Sequence, residues 1–427
     1  MVGAVVIFAV TYVLIAGGRL RILPVGRPAA GLVGAVACVT FRILTPGQAY
    51  ASIDGDTLVL LLGMMILAAH LDHAGFFEWG AARALRIART PQRLLTIVVF
   101  SSGILSAFLV NDSVCLMMTP LVVRLIRRGR LGPMLFLMAI ATSANIGSVM
   151  TLVGNPQNMI VGSMSGLLFR RFFLVLAPVG VLCLVVNRVL LPLFYPLRPP
   201  LSAAARERAE ELDTPFDDAD ELPTDFRQTI VPQLRQDLLV KCVVCLGIAV
   251  VGFFAGFNIA WTALFAAALL LVIAGWEPRQ AFKHVDWPLL LFFAGLFIVV
   301  GGLRTSGVVE RLFQVAEPWF GRQAGRQSWV LSAVTVIGSN LFSNVPFVLV
   351  AGSWVKQLAR PETAWMILGM ASTFAGNLTL IGSVANVLVI EGGSDVARVR
   401  FLDYLRYGVV ITLVTTALGT AWILAVT

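Results

Sequence analysis

The sequence predicts an all-α polytopic membrane protein built from two inverted-topology repeats, each with about five transmembrane helices and one re-entrant hairpin. Composition is the first observation: 58% of the residues are hydrophobic and only 13% are charged. A soluble domain usually carries about 25% charged residues. Most apolar runs are long enough, with their flanks, to cross a hydrocarbon core of about 30 Å. These values exclude a soluble globular domain.

An internal repeat is the second observation. Three short segments recur in the same order, at a spacing of roughly 230 residues. The matched pairs are 75–78 (GFFE) with 307–310 (GVVE), 106–113 (SAFLVNDS) with 339–346 (SNLFSNVP), and 151–161 (TLVGNPQNMIV) with 379–389 (TLIGSVANVLV). Gly, Pro and Asn interrupt the apolar runs at corresponding places. This pattern is typical of secondary transporters, whose substrate site lies between two repeats.

The first repeat is assigned to residues 1–195. Its first apolar segment has no basic region before it and no small-residue cleavage site after it, which favours a spanning helix over a signal peptide. The predicted elements are spans near 2–17, 29–44 and 57–72, a hairpin over 94–123, a broken helix over 133–166 and a span near 171–195.

The second repeat is assigned to residues 237–427. Its predicted elements are spans near 238–256, 258–275 and 287–303, a hairpin over 328–355, a broken helix over 363–391 and a span near 403–426. An odd number of crossings in each repeat would place the second repeat upside down relative to the first.

The distribution of Arg predicts the orientation. When the N-terminus is placed outside, the loops that fall inside carry most of the Arg residues, as in the segments 19–27, 83–93 and 124–130. The first hairpin must then return to the inner side, because Arg93 and Arg124 flank it. We therefore predict a multi-pass protein of the cell inner membrane with both termini outside. The net charge of +9 reflects these loops, and no nucleic-acid partner is expected.

Residues 196–236 form the longest hydrophilic stretch and are rich in Pro and acidic residues. We interpret them as a cytoplasmic linker between the repeats. A regulatory or partner-docking segment is the alternative interpretation.

The predicted substrate site lies where the apolar segments are broken. Irregular backbone at membrane depth is tolerated only where it is buried in protein or lines a cavity. A broken helix exposes backbone N–H groups and its positive end, and Asn and Ser add donors and acceptors. Such a site suits a small oxyanion or a small polyhydroxy species, whereas helix–helix hydrogen bonding is the purely structural alternative. The predicted substrate-binding residues are Asn111, Gly154, Asn155, Gln157, Asn158, Ser343, Asn344, Gly382, Ser383 and Asn386.

Asp112 is the acidic residue inside the deep repeat motifs, and Val345 occupies the matching position. Because a charge at membrane depth is costly, it usually has a function. We predict that Asp112 couples transport to protons; the alternative is a carboxylate that only caps the second hairpin helix. The secondary candidates are Cys115, one turn after Asp112, and His70, Asp72 and His73 at the end of the third span.

The remaining titratable residues give no catalytic signal. The five cysteines lie in apolar segments without metal-ligand spacing, which is typical of buried packing residues. His284, Asp286 and Glu277 are interpreted as loop residues. The apolar segments contain no nucleophile–base set, so we expect neither an enzyme, nor a cofactor, nor a bound metal.

Three motifs carry a resemblance to a known family. Segments 71–79 (LDHAGFFEW), 110–120 (VNDSVCLMMTP) and 154–158 (GNPQN) resemble those of the ArsB-type arsenite permeases. These permeases belong to the ion transporter superfamily, together with NhaD-type sodium/proton antiporters and divalent-anion/sodium symporters. The resemblance extends over nearly the whole chain, and the GNPQN motif is shared with uncharacterised anion permeases, including silicic-acid exporters.

The resemblance implies a secondary active transporter that exports arsenite or antimonite in exchange for protons. It also implies two hairpins facing a central site, a scaffold domain, a homodimer and a soluble ATPase subunit as a partner. Two alternatives stay open: a transporter of another small inorganic species, such as silicic acid or an oxyanion, and a sodium/proton antiporter. The expected partners are the lipid bilayer, a small inorganic substrate and protons.

Overall fold

The computed structural model describes residues 1–19, 26–88, 90–129, 131–197 and 234–427. These residues form helices joined by short turns, without a β-strand among them. The prediction of an all-α polytopic membrane protein is confirmed. Within the described residues, six helices are both long and apolar enough to cross a membrane: Gly55–His73, Pro91–Phe108, Phe169–Phe194, Gln236–Ala255, Trp287–Thr305 and Phe401–Val426.

Ten described α-helices precede residue 198, and most of them match the predicted spans. They are α1 (Val2–Arg19), α2 (Arg27–Thr40), α3 (Pro46–Ser52), α4 (Gly55–His73), α5 (Phe76–Ile87), α6 (Pro91–Phe108), α7 (Asn111–Gly129), α8 (Pro133–Ser148), α9 (Pro156–Ser165) and α10 (Phe169–Phe194). The first predicted hairpin corresponds to α6 and α7, and the first predicted broken helix to α8 and α9.

Ten described α-helices follow residue 233, together with a single 3₁₀ turn at Leu380–Gly382. They are α11 (Gln236–Ala255), α12 (Ile259–Ile273), α13 (Pro278–Lys283), α14 (Trp287–Thr305), α15 (Val308–Phe320), α16 (Ala324–Phe342), α17 (Asn344–Val355), α18 (Pro361–Ala375), α19 (Val384–Gly392) and α20 (Phe401–Val426). Most of the predicted linker, residues 198–233, lies outside the described residues.

The helices occur in the same order in the two halves, and the halves share unusual backbone conformations. Gly75 precedes α5 with φ 78°, and Gly307 precedes α15 with φ 73°. At the hairpin tips, Val110 has φ 25° and Ser343 has φ 74°. Residues other than Gly rarely adopt a positive φ, and such a backbone conformation costs on the order of 1–3 kcal/mol. Positive φ at both tips indicates that each tip is held by its surroundings.

The two halves interlock through their helices. Helix α2 packs on α14, and in the same way α12 packs on α4. In each pair the two backbones approach closely. A Cβ placed on Gly295 of α14 would lie 2.6 Å from the Gly31 carbonyl carbon of α2. A Cβ placed on Gly63 of α4 would lie 2.8 Å from the Ala263 carbonyl carbon of α12. Helix α9 packs against α17 and α18, and α19 packs against α7 and α8. Each short half-helix therefore begins next to the other half's hairpin.

Sequence periodicity did not predict the short helices α3, α5, α13 and α15. These helices begin with local signals that apolar patterns do not contain, as α3 and α5 illustrate. Helix α3 has Pro46 at its first position and a capping box, in which Thr45 Oγ1 accepts from the Gln48 N–H and Gln48 Oε1 accepts from the Thr45 N–H. Helix α5 follows the left-handed Gly75.

The inverted orientation of the two repeats stays a prediction, and cysteine labelling tests it. In a background without reactive native thiols, Arg93→Cys and Arg326→Cys place a thiol at the exposed start of each hairpin. The five native cysteines are all buried. With inverted repeats, an impermeant maleimide should label Arg93→Cys only from the cytoplasmic side and Arg326→Cys only from the outer side. Labelling of both thiols from one side would contradict the inverted repeat.

Candidate functional site

The tips of both hairpins and the starts of both half-helices line the same cavity, of about 40 Å³. The α2 start and the first turns of α14 complete its wall. The lining residues are Arg27, Asn111, Asp112, Pro156, Gln157, Leu289, Phe292, Phe293, Ser343, Asn344, Val345, Gly382, Ser383 and Val384. The cavity thus lies between the two halves, where the polar breaks meet.

Close backbone contacts fix the conformation of the first break, at residues 154–156. A Cβ at Gly154 would lie 2.3 Å from the Ser148 carbonyl oxygen, so a larger residue does not fit there. Asn155 caps α9, with its Oδ1 accepting from the Asn158 N–H at 2.8 Å, and Pro156 begins the helix. The Asn111 N–H donates to the Gly154 carbonyl at 2.9 Å, which fixes the hairpin tip against the break. As a result, the positive N-terminal end of α9 is directed at the cavity.

Asn145, near the end of α8, joins the first half to the second. Its Oδ1 accepts from Asn111 Nδ2 and from Ser383 Oγ, both at 3.1 Å. Its Nδ2 donates to Asn377 Oδ1 at 2.9 Å and to Asn386 Oδ1 at 3.0 Å. These four bonds fill the capacity of one amide, so Asn145 has a positioning role and presents no unused atom to a ligand.

Thr373, near the end of α18, makes the corresponding connection in the opposite direction. Its hydroxyl lies 3.3 Å from Asn158 Oδ1 and accepts from Asn155 Nδ2 at 3.1 Å. Gln157 Nε2 lies 3.5 Å from Thr373 Oγ1. Each half therefore holds the half-helix of the other half through one buried polar residue, Asn145 or Thr373.

Asn158 and Asn386 close the two breaks in the same manner. Asn158 Nδ2 donates to the carbonyls of Ser148 and Thr151 at 3.1 and 3.0 Å. Asn386 Nδ2 donates to the carbonyls of Gly376 and Thr379 at 2.7 and 3.1 Å. Each amide replaces hydrogen bonds that the broken helix cannot make for itself.

The predicted substrate-binding residues divide into two groups. Six of them line the cavity: Asn111, Gln157, Ser343, Asn344, Gly382 and Ser383. The other four, Gly154, Asn155, Asn158 and Asn386, lie behind this wall and shape it through the contacts described above. The structure brings all ten into one region, with direct contact to the cavity for the first group.

Two amide oxygens on the hairpin tips have unused accepting capacity. Asn111 Oδ1 and Asn344 Oδ1 are buried, on side chains that are 3% and 8% exposed, and no group of the described chain donates to either atom. A buried polar atom without a partner costs about 1–3 kcal/mol. Because both residues line the cavity, these oxygens are candidate acceptors for a ligand with hydrogen-bond donors.

Asp112 lines the same cavity, and its carboxylate faces the backbone N–H of Ala385 in the first turn of α19. It therefore lies at the start of the second half's short helix, besides occupying the first turn of α7. Arg27 also lines the cavity, and its positive charge acts on Asp112. Sequence analysis counted Arg27 only among the loop Arg residues that set orientation.

The secondary candidates do not line the cavity. Cys115 is buried one turn along α7 from Asp112. His70, Asp72 and His73 lie at the end of α4, where both histidine rings contact Trp276. The structure therefore separates these three residues from the predicted substrate-binding group.

Sequence analysis also missed the apolar wall and the two positioning residues. Leu289, Phe292 and Phe293 belong to an ordinary apolar span, and nothing local distinguishes them from lipid-facing residues. Asn145 and Thr373 occupy corresponding positions in the two halves but differ in type, so matching identical residues between the repeats did not find them. Aligning the polar positions of the repeats, whatever their type, would have found both.

Polar helix breaks around a cavity inside a multi-pass membrane protein define a membrane transporter. The chain belongs to the citrate transporter family, whose model matches residues 12–373. It is a transporter and not an enzyme.

Relatives with different names match nearly the whole chain. A Dictyostelium discoideum protein that carries the name arsB is 27% identical over 97% of this chain and 90% of its own length. The silicon efflux transporter LSI3 of Oryza sativa subsp. japonica is 30% identical over 97% of this chain and 96% of its own. An uncharacterized transporter of Mycobacterium bovis is 32% identical, with 98% and 97% covered. The resemblance to ArsB-type permeases noted in the sequence agrees with these matches.

Proposed function

We propose that the protein is a secondary active transporter that exports arsenite or antimonite, as the neutral trihydroxide, in exchange for protons. The observation that supports this most directly is the pair of buried oxygens without donors, Asn111 Oδ1 and Asn344 Oδ1, in the cavity that Asp112 also lines. Three acceptors in one small cavity favour a ligand with several hydrogen-bond donors, such as O–H groups.

Arsenous acid fits this set of groups. Its three hydroxyls can donate to Asn111 Oδ1, Asn344 Oδ1 and the Asp112 carboxylate, while its oxygens accept from backbone N–H groups at the starts of α9 and α19. A tricarboxylate such as citrate offers mainly acceptors at neutral pH. It would leave the two amide oxygens unpaired and would repel Asp112.

Proton exchange follows from competition at Asp112. When the cavity opens inward, the ionised carboxylate accepts a hydrogen bond from a substrate hydroxyl. When the cavity opens outward, a proton from outside neutralises the carboxylate and weakens that bond, so that the substrate leaves. The proton then travels inward with the protein. The inward proton gradient therefore drives outward transport of the substrate.

Silicic acid is the second candidate substrate, and the rice relative named as a silicon efflux transporter supports it. It is also a small neutral hydroxide, with four hydroxyls for the same acceptors. A sodium ion is less compatible with the cavity, because Arg27 and two helix N-termini place positive charge around it.

The remaining expectations concern location and partners. We propose an inner-membrane protein with both termini outside, as the Arg distribution predicts. Assembly as a homodimer and association with a soluble ATPase subunit rest on the resemblance to ArsB-type permeases.

Uptake into inverted membrane vesicles tests the substrate and the coupling together. Arsenite, silicic acid, phosphate and sodium are compared with and without an acidic vesicle interior. We expect arsenite to accumulate only with the pH gradient, and phosphate and sodium not to accumulate. Accumulation of silicic acid alone would select the second candidate, and accumulation of phosphate or sodium alone would contradict a neutral hydroxide as the substrate.

A further inference from the structure

The chain has three histidines, and all of them surround one tryptophan, Trp276. The His73 ring stacks on the Trp276 ring, with centroids 3.9 Å apart and planes 8° apart. His70 meets the same ring edge-on at 4.9 Å, and His284 lies 5.4 Å from it. We call His70, His73, His284 and Trp276 the histidine cluster. It joins the end of α4 to the segment around α13, away from the residues that line the cavity.

The surroundings of both α4 histidines favour the neutral ring. His70 Nδ1 lies 2.7 Å from the Ile66 carbonyl, so this nitrogen carries a hydrogen. His70 Nε2 is buried, and no described group pairs with it. Arg235 Nη1 lies 2.5 Å from His73 Nε2. A guanidinium only donates hydrogen bonds, so His73 Nε2 accepts and carries no proton.

A proton on His73 would remove this contact. His73 Nε2 would become a donor facing a donor, and the imidazolium would repel the Arg235 guanidinium. Arg235 is also tied to the same place by its backbone, because its N–H donates to the Ala74 carbonyl at 3.0 Å. The residue immediately before α11 is thus attached to the turn between α4 and α5 through two groups. The neutral state of His73 favours this attachment.

The surroundings allow a proton to reach His73 and to act there. Arg235 and His284 are exposed and His73 is half-buried, whereas His70 is fully buried. Helices α9 and α12, which pack on α4, carry no charged residue. The charged groups of α4 at this end and of the other elements packed on it include Asp72, Glu78, Arg83, Arg86, Asp112, Arg124, Arg127, Arg235, Asp237, Lys241, Arg279, Lys283, Asp286 and Arg304.

We propose that the histidine cluster is a proton-binding regulatory site, separate from Asp112, at which protonation of His73 releases Arg235 and slows transport. Helix α4 packs on α9, the half-helix that lines the cavity, and on α11, which Arg235 precedes. Release of Arg235 therefore alters the packing between the start of the second half and the helix that supports the site. On the predicted orientation the cluster faces the cytoplasm, into which proton-driven export brings protons. Acidification of that face would then limit further proton entry.

Fluorescence of Trp276 tests proton binding without any transport substrate. The emission of the purified protein minus that of a Trp276→Phe variant isolates this tryptophan. We expect the difference to fall as the pH is lowered, because a stacked imidazolium quenches indole emission. A difference that stays constant from about pH 7.5 to about pH 5.5 would overturn the proposal.

Substrate exchange at equal pH on both sides tests the regulatory effect. Between about pH 7.5 and pH 5.5, the exchange rate of the unsubstituted protein should fall about two- to five-fold further than that of a His73→Gln variant, the effect of losing one exposed charged contact. Gln keeps an acceptor for Arg235 but cannot be protonated, and Asp112 contributes to the pH dependence of both proteins, so His73→Gln should remove this additional pH dependence. The matched His284→Gln variant should keep it. The same fall with His73→Gln would overturn the proposal, and the fluorescence result stands independently of the substrate.

Discussion

An Asp112→Asn variant is expected to exchange substrate across the membrane but to lose accumulation driven by a pH gradient. Asn has nearly the same shape as Asp and keeps an oxygen that can face the Ala385 N–H. It cannot, however, gain or lose a proton. In inverted vesicles with an acidic interior, accumulation by this variant should fall to the level seen without a gradient, whereas counterflow of labelled substrate should persist.

The neighbouring acid Asp286 provides a matched control. Asp286 is exposed, its charge also acts on Asp112, and its carboxylate caps α14 by accepting from the Leu289 N–H at 3.0 Å. Asn caps a helix about as well as Asp. Asp286→Asn should therefore retain gradient-driven accumulation. If Asp112→Asn vesicles still concentrate substrate to the wild-type level, Asp112 only caps a helix and another group carries the proton.

The spans and the breaks could be predicted because their signals are local. An apolar run such as 238–256 identifies its own helix, and Gly154 with Pro156 marks a break by steric and hydrogen-bonding limits of the residues themselves. The repeated motifs also identified the two hairpin tips that line the cavity. This prediction needed only the order of the segments and the depth at which each is interrupted.

The contacts between the halves could not be predicted because they depend on which helix face meets the other half. Asn145 and Thr373 lie in helices that are buried all round, so no amphipathic pattern distinguishes their inward faces. Arg27 is the first residue of α2, so its place in the sequence does not separate it from the Arg residues of the preceding loop. His284 looked like a loop residue, and only the packing around Trp276 brings it near the two α4 histidines.

Asn344→Ala is expected to weaken substrate binding without destabilising the protein. In the proposed site, Asn344 Oδ1 gains a hydrogen bond only when substrate is bound, since no described group donates to it otherwise. Losing that bond costs about 1–3 kcal/mol, so the dissociation constant should rise about 5- to 150-fold. The free energy of unfolding should stay unchanged or increase, because the substitution removes a buried oxygen that lacks a partner.

Asn145→Ala provides the contrast, since Asn145 uses all its hydrogen-bonding capacity within the protein. Its removal leaves buried groups of Asn111, Ser383 and Asn386 with fewer partners, at a cost of about 1–3 kcal/mol for each group left unpaired. We therefore expect a clear fall in thermal stability in detergent, together with weaker binding. Substrate titration and thermal unfolding of the two variants distinguish a ligand-binding oxygen from a structural one. If Asn344→Ala lowers stability as strongly as Asn145→Ala and leaves affinity unchanged, then Asn344 serves to hold the hairpins together. The binding oxygens would then have to be sought elsewhere on the cavity wall.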